Sequence, residues 1–254
     1  KLLREMKVNQ FLEAMWNGKV VNVTENRKAL HPALRGTGDS FFPKDIMNEV
    51  TKQKKQMLKI AEGVRNGNIK SHSGKKYTSV LAIGIGGSDL GPRMSVKALT
   101  PFKSNIDVRF VSNIDPSDLI NVTADLDPSK TLIIVSSKTF TTIETLANAK
   151  AAFNWLAKNI GEIGAKNQQY AITSNFDNAK KFGFDATKIL LFSEWVGGRT
   201  SIWSSVGLPL AISIGEKLFK EFLLGGHSVD KHMKNEMTNS CLLYTSPSPR
   251  DNTG

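Results

Sequence analysis

Three segments of the sequence combine glycine, hydroxyl and cationic residues in patterns that could bind an anion. The first covers residues 84–92 and reads Gly-Ile-Gly-Gly-Ser-Asp-Leu-Gly-Pro. Glycine lets the backbone approach a ligand closely, and the free N–H groups at the start of a helix can hold a phosphate. However, Asp89 stands where the dinucleotide-binding pattern G-x-G-x-x-G, begun at Gly84, requires glycine. The segment therefore predicts either a phosphate loop or a tight strand-to-helix turn.

The second segment, residues 136–142, reads Ser-Ser-Lys-Thr-Phe-Thr-Thr and carries five hydroxyls and one amine. Capping of the helix that follows would use one hydroxyl and leave the others unexplained. Lys138 near the positive end of that helix would cost about 0.3–1 kcal/mol, and a bound anion would remove this cost. The composition therefore favours an anion site over capping alone.

The third segment, residues 195–201, reads Trp-Val-Gly-Gly-Arg-Thr-Ser. Arg199 again puts a cation at the predicted start of a helix, beside a pair of glycines. A fixed cation at this place could stabilise negative charge that develops during a reaction. The alternative for Arg199 is a surface ion pair with Glu194, and the local sequence leaves both interpretations open.

Each of these segments follows a β-branched run and precedes a segment of helical period, so strands and helices alternate from Tyr77 onwards. The predicted strands are residues 79–83, 107–112, 131–136, 169–173 and 189–192. The predicted helices are residues 92–99, 116–126, 142–160, 175–182 and 201–222. The alternation predicts an α/β fold, a three-layer α/β/α sandwich around an open, mainly parallel five-stranded sheet. Ligands of such sheets bind at the loops after the strands, where all three segments lie.

The composition excludes several classes of protein. With 254 residues, 40% of them hydrophobic and 22% charged, the chain is similar to an ordinary soluble globular protein with a sizeable core. The longest nearly uncharged apolar stretch, residues 202–215, is shorter than the roughly 20 residues of a membrane-spanning helix. Cys241 is the only cysteine, which favours a reducing compartment and predicts a cytoplasmic protein. His227 and His232 lack the spacing of helical zinc ligands, so we predict no metal.

The net charge of +11 favours anionic partners but does not choose among nucleic acids, membrane headgroups and phosphorylated metabolites. The densest basic cluster consists of Lys52, Lys54, Lys55 and Lys59. Apolar residues at helical spacing surround these lysines, which predicts that they form the solvated face of an amphipathic helix. Because no aromatic residue is interleaved to stack on bases, we expect no nucleic-acid binding. We also expect no membrane partner, because no apolar stretch is long enough to span a bilayer.

Taken together and in order, several motifs resemble those of the glucose-6-phosphate isomerase family. They comprise residues 83–92, 111–115, 137–145, 195–199 and 201–208, with Thr24-Glu25-Asn26-Arg27 and Leu30-His31 near the amino end. The similarity extends to about Asn239. Several motifs in one order are far more specific than any single glycine-rich loop.

The resemblance implies a fold, a reaction and a set of site residues. The family has two sugar-phosphate-binding α/β/α domains, of which this sequence would contain the first. It interconverts glucose 6-phosphate and fructose 6-phosphate, needs no cofactor and works as a homodimer when full length. The residues that match its phosphate-binding positions are Ser137, Lys138, Thr139 and Thr142, with Gly87 and Ser88 lining the same pocket. Arg199 matches the arginine that stabilises the reaction intermediate.

The chemistry of this reaction explains why such residues are needed. Moving the carbonyl between C1 and C2 removes a proton from the adjacent carbon and leaves an enediolate, whose negative charge a fixed cation can stabilise. The resemblance implies that the proton-transferring Glu and the ring-opening His and Lys of the family belong to motifs beyond the end of this sequence. The chain as written is therefore expected to have at most trace isomerase activity.

The sequence predicts four regions. Residues 1–42 form an amino-terminal helical arm, and residues 43–225 form the sugar-isomerase (SIS-type) sugar-phosphate-binding domain that the resemblance implies. Residues 226–239 begin a connection to a second domain. Residues 240–254 have neither helical nor strand period and resemble the translation of a sequencing adapter, so we predict a non-native tail there.

Three other functions remain open from the sequence. A non-catalytic sugar-phosphate-binding module could use the same fold and the anion site at residues 137–142 without a base. A nicotinamide-dependent oxidoreductase is disfavoured by Asp89, although Asp115 follows the second strand where a ribose-binding acid would stand. A nucleic-acid-binding protein has only the net charge in its favour.

Overall fold

The amino-terminal arm consists of short elements that pack onto the rest of the chain. The computed structural model describes residues 5–36 and 41–236. The arm contains helix α1 (Val8–Trp16), an antiparallel hairpin of β1 (Val20–Asn22) and β2 (Arg27–Lys28), and helix α2 (His31–Arg35). Trp16, Leu30 and Leu34 are buried in the main hydrophobic core, so the arm contributes to this core directly.

The centre of the molecule is a parallel sheet of five strands. They are β3 (Ser79–Ile83), β4 (Asp107–Val111), β5 (Thr131–Ser136), β6 (Gln169–Thr173) and β7 (Ile189–Leu191), in the spatial order β4-β3-β5-β6-β7. Every residue of β3, β5 and β6 is buried, which is why these strands have mostly apolar rather than alternating sequences. The five predicted strands are confirmed, with ends within one residue of the prediction.

Helices cover both faces of the sheet and complete a three-layer α/β/α sandwich, as predicted. They are α3 (Lys44–Asn66), α4 (Leu90–Ala98), α5 (Pro116–Thr123), α6 (Ile143–Asn167), α7 (Phe176–Phe182) and α8 (Leu208–Glu236). Alternate residues of β5 enter two separate cores. Leu132 and Ile134 belong to the core that includes α3 and α8, whereas Ile133 and Val135 belong to the core that includes α5, α6 and α7.

The segment after β7 differs from the prediction of one helix over residues 201–222. Two short 3-10 turns, Arg199–Trp203 and Ser205–Gly207, precede α8. The backbone of Ser204 is extended between these turns, and its hydroxyl oxygen accepts a hydrogen bond from the Val206 N–H. Serine commonly competes with helix formation through such local bonds, which explains why α8 begins only at Leu208.

Glycines kink two helices that are longer than predicted. Gly161, with a φ of 77°, kinks α6, which continues beyond residue 160, where its predicted range ends. Gly215, with a φ of 86°, kinks α8. The Arg65 guanidinium donates to two carbonyl oxygens just before this kink and so satisfies acceptors at the break. Helix α8 then continues past residue 225, the predicted domain boundary.

The carboxyl-terminal part of the sequence is described as far as residue 236, within the predicted connection over residues 226–239. The predicted tail, residues 240–254, lies outside the described residues. In the part of the chain that the structure describes, no helix has the length and apolar character needed to cross a membrane.

Candidate anion-binding site

The strand order places two of the three predicted loops at a natural binding crevice. From β3 the chain moves to one edge of the sheet with β4, and β5 then returns to the other side of β3. The loops after β3 and β5 therefore diverge at the carboxyl edge of the sheet, where open α/β sheets bind their ligands. These loops are residues 84–92, here called the glycine loop, and residues 137–142, here called the hydroxyl loop.

The glycine loop approaches the other loops so closely that it has no room for side chains at key positions. A Cβ atom at Gly84 would lie 3.2 Å from a carbonyl oxygen at the end of β5, and one at Gly87 would lie 2.5 Å from the carbonyl oxygen of Gly198. A Cβ atom at Gly91 would overlap the backbone carbonyl of Arg199. Glycine at these positions allows three chain segments to meet.

The hydroxyl loop is anchored by hydrogen bonds from the next strand and helix. The Lys138 carbonyl oxygen accepts from the Thr173 hydroxyl at 2.9 Å and from the N–H and hydroxyl of Ser174 at 3.0 and 2.8 Å. Asn178 Nδ2 donates to the Thr139 carbonyl oxygen at 2.8 Å. The loop is therefore ordered before any ligand binds, which is the condition for strong electrostatic stabilisation.

Phe140 fixes the tip of the hydroxyl loop. Its backbone is left-handed, with a φ of 54°, a conformation that residues other than glycine rarely adopt. Its buried side chain makes edge contacts with the rings of Phe182 and Phe184, at centroid distances of 5.8 and 5.5 Å. This aromatic cluster offsets the strain of the backbone and holds the neighbouring polar residues in place.

The hydroxyls of this loop do not cap the helix that follows. Thr142 occupies the N-cap position of α6, yet its side chain makes no hydrogen bond to the start of the helix. Its Oγ1 accepts from the Ser137 hydroxyl at 3.3 Å, and the hydroxyls of Thr139 and Thr141 lie 2.6 Å apart. Helix capping therefore does not account for these hydroxyls, which supports the anion-site interpretation.

The third segment, residues 195–201, is here called the third loop and follows β7. Gly198 has a φ of 67°, and its carbonyl oxygen accepts from the N–H and the hydroxyl of Ser201 at 3.0 and 2.7 Å. His31 of α2 contacts the neighbouring Gly197: its Nε2 atom lies 2.9 Å from the carbonyl oxygen and 3.1 Å from the amide nitrogen. The arm therefore takes part in building the site.

The three loops line one cavity of about 160 Å³. Five of the seven predicted site residues are among its lining residues: Gly87, Ser88, Ser137, Lys138 and Thr142. Pockets that enclose a drug-sized ligand have volumes of roughly 300–1,000 Å³. The smaller volume of this cavity suits a phosphoryl group rather than a whole sugar ester.

The other two predicted residues, Thr139 and Arg199, lie beside the lining residues and are exposed. Arg199 begins the first 3-10 turn and follows Gly198, which lines the cavity. Among the ion pairs of residues 5–36 and 41–236, none joins Arg199 to Glu194, the alternative partner. The roles of Thr139 and Arg199 stay predictions.

Lys138 brings positive charge to the cavity. Burial lowers the pKa of its amine, and the Arg27 guanidinium lowers it further, whereas the carboxylates of Glu25 and Glu194 act in the opposite direction. A partly desolvated amine close to another cation is stabilised by a bound anion, because the anion offsets both unfavourable effects. The electrostatics of Lys138 therefore favour an anionic ligand.

Asp89, the residue that breaks the dinucleotide-binding pattern, forms an ion pair with Arg93 in the helix that follows it, α4. Its buried carboxylate accepts from Arg93 Nε at 2.9 Å, and Arg93 also donates to the Ser112 hydroxyl at 3.0 Å. This ion pair balances the negative charge of Asp89. The carboxylate therefore does not prevent the glycine loop from facing an anion.

Several cavity residues were not identified from the sequence. They are Ile85, Ser136, Thr145, Phe192, Val196, Gly197, Gly198, Ser201 and Val206. Most of them lie inside the three segments that the sequence analysis singled out, although it did not name them individually as site residues: Ile85, Ser136, Val196, Gly197, Gly198 and Ser201. Thr145, Phe192 and Val206 lie outside these segments, and their place at the cavity results from tertiary packing.

The sandwich and the arrangement of its loops define an α/β domain of the sugar-isomerase type. The match to known families is more specific than the fold. The family model for phosphoglucose isomerase matches residues 1–243, and the chain belongs to the phosphoglucose isomerase family.

Individual relatives agree with this assignment. The chain is 45% identical to glucose-6-phosphate isomerase of Rhizobium leguminosarum over 237 residues and 42% identical to that of Bartonella bacilliformis over 226 residues. These matches cover 92% and 88% of this chain but 44% and 41% of the relatives, so the chain spans less than half the length of these curated relatives. A crystal structure of a glucose-6-phosphate isomerase from Chlamydia trachomatis matches with a TM-score of 0.77 and 27% identity, covering 92% of this chain and 45% of that one.

Proposed function

We propose that this chain forms the phosphate-binding part of a glucose-6-phosphate isomerase, which interconverts glucose 6-phosphate and fructose 6-phosphate. The observation that carries the proposal is the convergence of three loops on one small cavity, lined by six hydroxyl side chains and the Lys138 amine. Hydroxyls, backbone amides and an amine together match the acceptors of a phosphoryl group. Family membership and the names of the relatives support a hexose phosphate as the ligand.

In this proposal the phosphate occupies the cavity and the hexose extends out of it. The hydroxyls of Ser88, Ser137 and Thr142 donate hydrogen bonds to the phosphate oxygens, and Gly87 lets the backbone come close. Lys138 adds charge-assisted hydrogen bonds, which are roughly twice as strong as neutral ones. The anchored backbone of the hydroxyl loop supports this role, because the donors are ordered in advance.

Arg199 and Thr139 take the outer positions of the proposed site. The reaction removes a proton from the carbon next to the carbonyl and passes through an enediolate. The exposed Arg199 guanidinium adjoins the cavity-lining Gly198, so it can stabilise the charge on the enediolate once the hexose is bound. The exposed Thr139 hydroxyl adjoins Lys138 and is proposed to bind an outer oxygen of the ester.

This polypeptide by itself is proposed to bind the ester without efficient turnover. The reaction needs a base to take and return the proton, and none of the residues assigned to the proposed site has that role. The chain also spans less than half the length of its curated relatives, which supports the expectation of at most trace isomerase activity. We further propose that the full-length protein is a cytoplasmic homodimer, and the single cysteine of the sequence supports the reducing compartment.

Calorimetric titration of the chain with glucose 6-phosphate, and separately with glucose, tests the proposal. We expect saturable binding of the ester and none of glucose, because the cavity recognises the phosphoryl group. A coupled assay tests turnover in parallel: a dehydrogenase oxidises any glucose 6-phosphate that is formed from fructose 6-phosphate. Failure to bind the ester, or equal binding of the two ligands, would refute the phosphate site. Turnover near that of a full-length enzyme would refute the expectation of trace activity.

A further inference from the structure

We propose that His31 is a positioning residue of the anion site, which fixes the third loop opposite the glycine loop through the backbone of Gly197. The Nε2 atom of His31 lies 2.9 Å from the Gly197 carbonyl oxygen and 3.1 Å from the Gly197 amide nitrogen. The two residues are 166 positions apart, so this contact joins the arm to the loop after the edge strand β7. The inference rests on the proposed function for its binding measurement only.

The third loop needs such an anchor because its central residues carry no side chains. Gly197 and Gly198 both line the cavity, and Gly198 has left-handed backbone. Glycine loses more conformational freedom on ordering than any other residue. A contact that holds Gly197 therefore also restricts Gly198 and Arg199, and it reduces the entropy cost of ordering this loop when an anion binds.

The His31 ring is itself held in a defined orientation. It is half-buried and stands edge-on to the Trp195 ring, with 6.3 Å between the ring centroids. Trp195 belongs to the third loop, so His31 contacts both the backbone and a side chain of the same short segment. This pair of contacts distinguishes a positioning role from an incidental surface contact.

The position of the ring proton decides which Gly197 group His31 binds. A neutral ring with its proton on Nδ1 accepts from the Gly197 N–H, whereas a proton on Nε2 is donated to the Gly197 carbonyl oxygen.

Burial is the main cause that lowers the pKa of His31. The Arg35 and Lys138 cations lower it further, and the bond to the Gly197 carbonyl opposes them. The other charged residues that line the space beside the ring are Glu25, Arg27 and Lys28. The ring is therefore neutral at pH 8.

Nuclear magnetic resonance of the unmodified chain tests the contact directly. We expect the Gly197 amide resonance to shift with pH, with a midpoint below the ordinary histidine pKa of 6.5, because the shift reports the protonation of His31. In the variant His31→Phe this pH-dependent shift disappears. A Gly197 amide that does not respond to pH, or that responds equally in His31→Phe, overturns the proposal whatever the ligand affinity.

Calorimetry with glucose 6-phosphate at pH 8 measures the effect on the site. We expect His31→Phe to weaken binding roughly tenfold, which corresponds to about 1.4 kcal/mol. The amide of His31→Gln can both accept from and donate to Gly197, so this variant recovers most of the loss. His72→Phe removes an exposed histidine elsewhere and is the matched control, with unchanged affinity.

The outcomes separate the two proposals. Unchanged affinity in His31→Phe overturns the positioning role. Absence of binding by the unmodified chain refutes the proposed function, and the pH titration of the Gly197 amide then still decides whether the contact exists. If His31→Phe fails to fold, the affinity of His31→Gln and the pH titration of the Gly197 amide in the unmodified chain test the positioning role instead.

Discussion

Two of the cavities that cations line differ in how their hydrogen-bond donors are held. The cavity at the switch point between β3 and β5 has a volume of about 160 Å³ and combines Lys138 with hydroxyls and glycine backbone. A larger cavity of about 720 Å³ lies between α2, α3 and α8. Its cationic residues, here called the helical cluster, are Arg35, Lys44, Lys54 and Lys220.

The hydrogen-bond donors of the two cavities differ in how much conformational freedom they have. The donors at the switch point lie on short loops at strand ends, where bonds such as those to the Lys138 carbonyl restrict them. The helical cluster presents long side chains, and two of them already have carboxylate partners: Arg35 pairs with Asp230, and Lys220 pairs with Glu216. Ordering a lysine side chain costs about 1.5–2 kcal/mol, a cost that an ordered backbone amide does not incur.

Lys138 and Lys54 show the electrostatic side of this difference. Burial lowers the pKa of both amines. Lys220 lowers that of Lys54 further, to about 8, whereas nearby carboxylates partly compensate the charge of Lys138. The larger cavity thus has more cations but fewer ordered donors. If the proposed function is correct, ordered donors rather than the number of cations determine which cavity binds the phosphate.

Gly87→Ala is expected to have the largest effect on the switch-point cavity. The new Cβ atom would lie 2.5 Å from the oxygen and 2.7 Å from the carbon of the Gly198 carbonyl, so the two loops must separate. We expect loss of detectable glucose 6-phosphate binding in calorimetry and a decrease of about 1–3 kcal/mol in the free energy of unfolding. Gly225→Ala in α8, where a Cβ atom meets open space, is the control and should keep full affinity. Normal binding by Gly87→Ala would show that the close approach of the loops is not needed.

Removing one lysine from each cavity tests the comparison directly. We expect Lys138→Met to weaken glucose 6-phosphate binding roughly a hundredfold, because hydrogen bonds to charged groups contribute about 1.5–3 kcal/mol each. Lys54→Met should change this affinity less than about twofold, well within the range of a remote surface effect. Calorimetric dissociation constants at one ionic strength provide the measurement. Equal losses in the two variants would mean that the overall positive charge, and not the built site, attracts the ester.

Lys54→Met should instead change stability, and the effect depends on pH. The folded-state pKa of Lys54 is about 8, below its ordinary value of 10.5, so burial of the charged amine destabilises the fold below pH 8. Between pH 8 and 10.5 the unfolded chain binds more protons at this residue, and stability rises with pH. We expect the variant to be more stable by about 1–3 kcal/mol at pH 7, with a smaller gain at pH 10.

Urea unfolding at the two pH values measures this gain. Lys55→Met, which removes an exposed lysine from the same helix, is the matched control and should change stability by less than about 0.5 kcal/mol. A gain for Lys54→Met that is equal at pH 7 and pH 10 would contradict the assigned cause, because a purely apolar packing effect does not depend on the titration of the amine.

Of these variants, Glu194→Gln should change the affinity for glucose 6-phosphate least, and it should increase the affinity rather than decrease it. The Glu194 carboxylate is exposed and raises the pKa of Lys138, so it also repels a phosphate at the cavity. We expect affinity to increase roughly two- to threefold at low salt and to return towards the original value at high salt, where exposed charges are screened. Glu162→Gln, about five turns along α6 from its start, is the control. An increase in both variants would indicate a general effect of net charge.

Local sequence patterns predicted the strands well, because parallel strands buried on both faces consist largely of apolar residues. The runs of β3, β5 and β6 end where polar or glycine residues begin, and their bounds agree with the prediction. The predicted start of α8 was wrong by several residues, because Ser204 forms a local hydrogen bond and the helix begins only after it. A serine can lie within a helix or bond to a nearby backbone group outside one, and the sequence alone does not show which of the two it does.

The basic cluster on α3 shows the same limit for side chains. Lys52, Lys55 and Lys59 are exposed, as predicted for a solvated face, but Lys54 is half-buried at the edge of the large cavity. At about 100° per residue, Lys54 lies roughly 100° or more around the helix from each of the other three lysines and beside the apolar face, so the prediction of a solvated position was wrong for this residue. Helices α2 and α8 cover that side of α3 and partly bury Lys54.

The sequence by itself determined the alternation of strands and helices, the glycines that permit close approach and the surplus of hydroxyls in the hydroxyl loop. These properties depend on residues that are neighbours along the chain. The sequence also predicted that the three loops meet at the ligand-binding edge of the sheet. Only the tertiary structure decided which of their residues line one cavity, and that His31 contacts Gly197 across 166 positions. The reason is that strand order and long-range contacts result from burying both faces of the sheet at once, which no local pattern encodes.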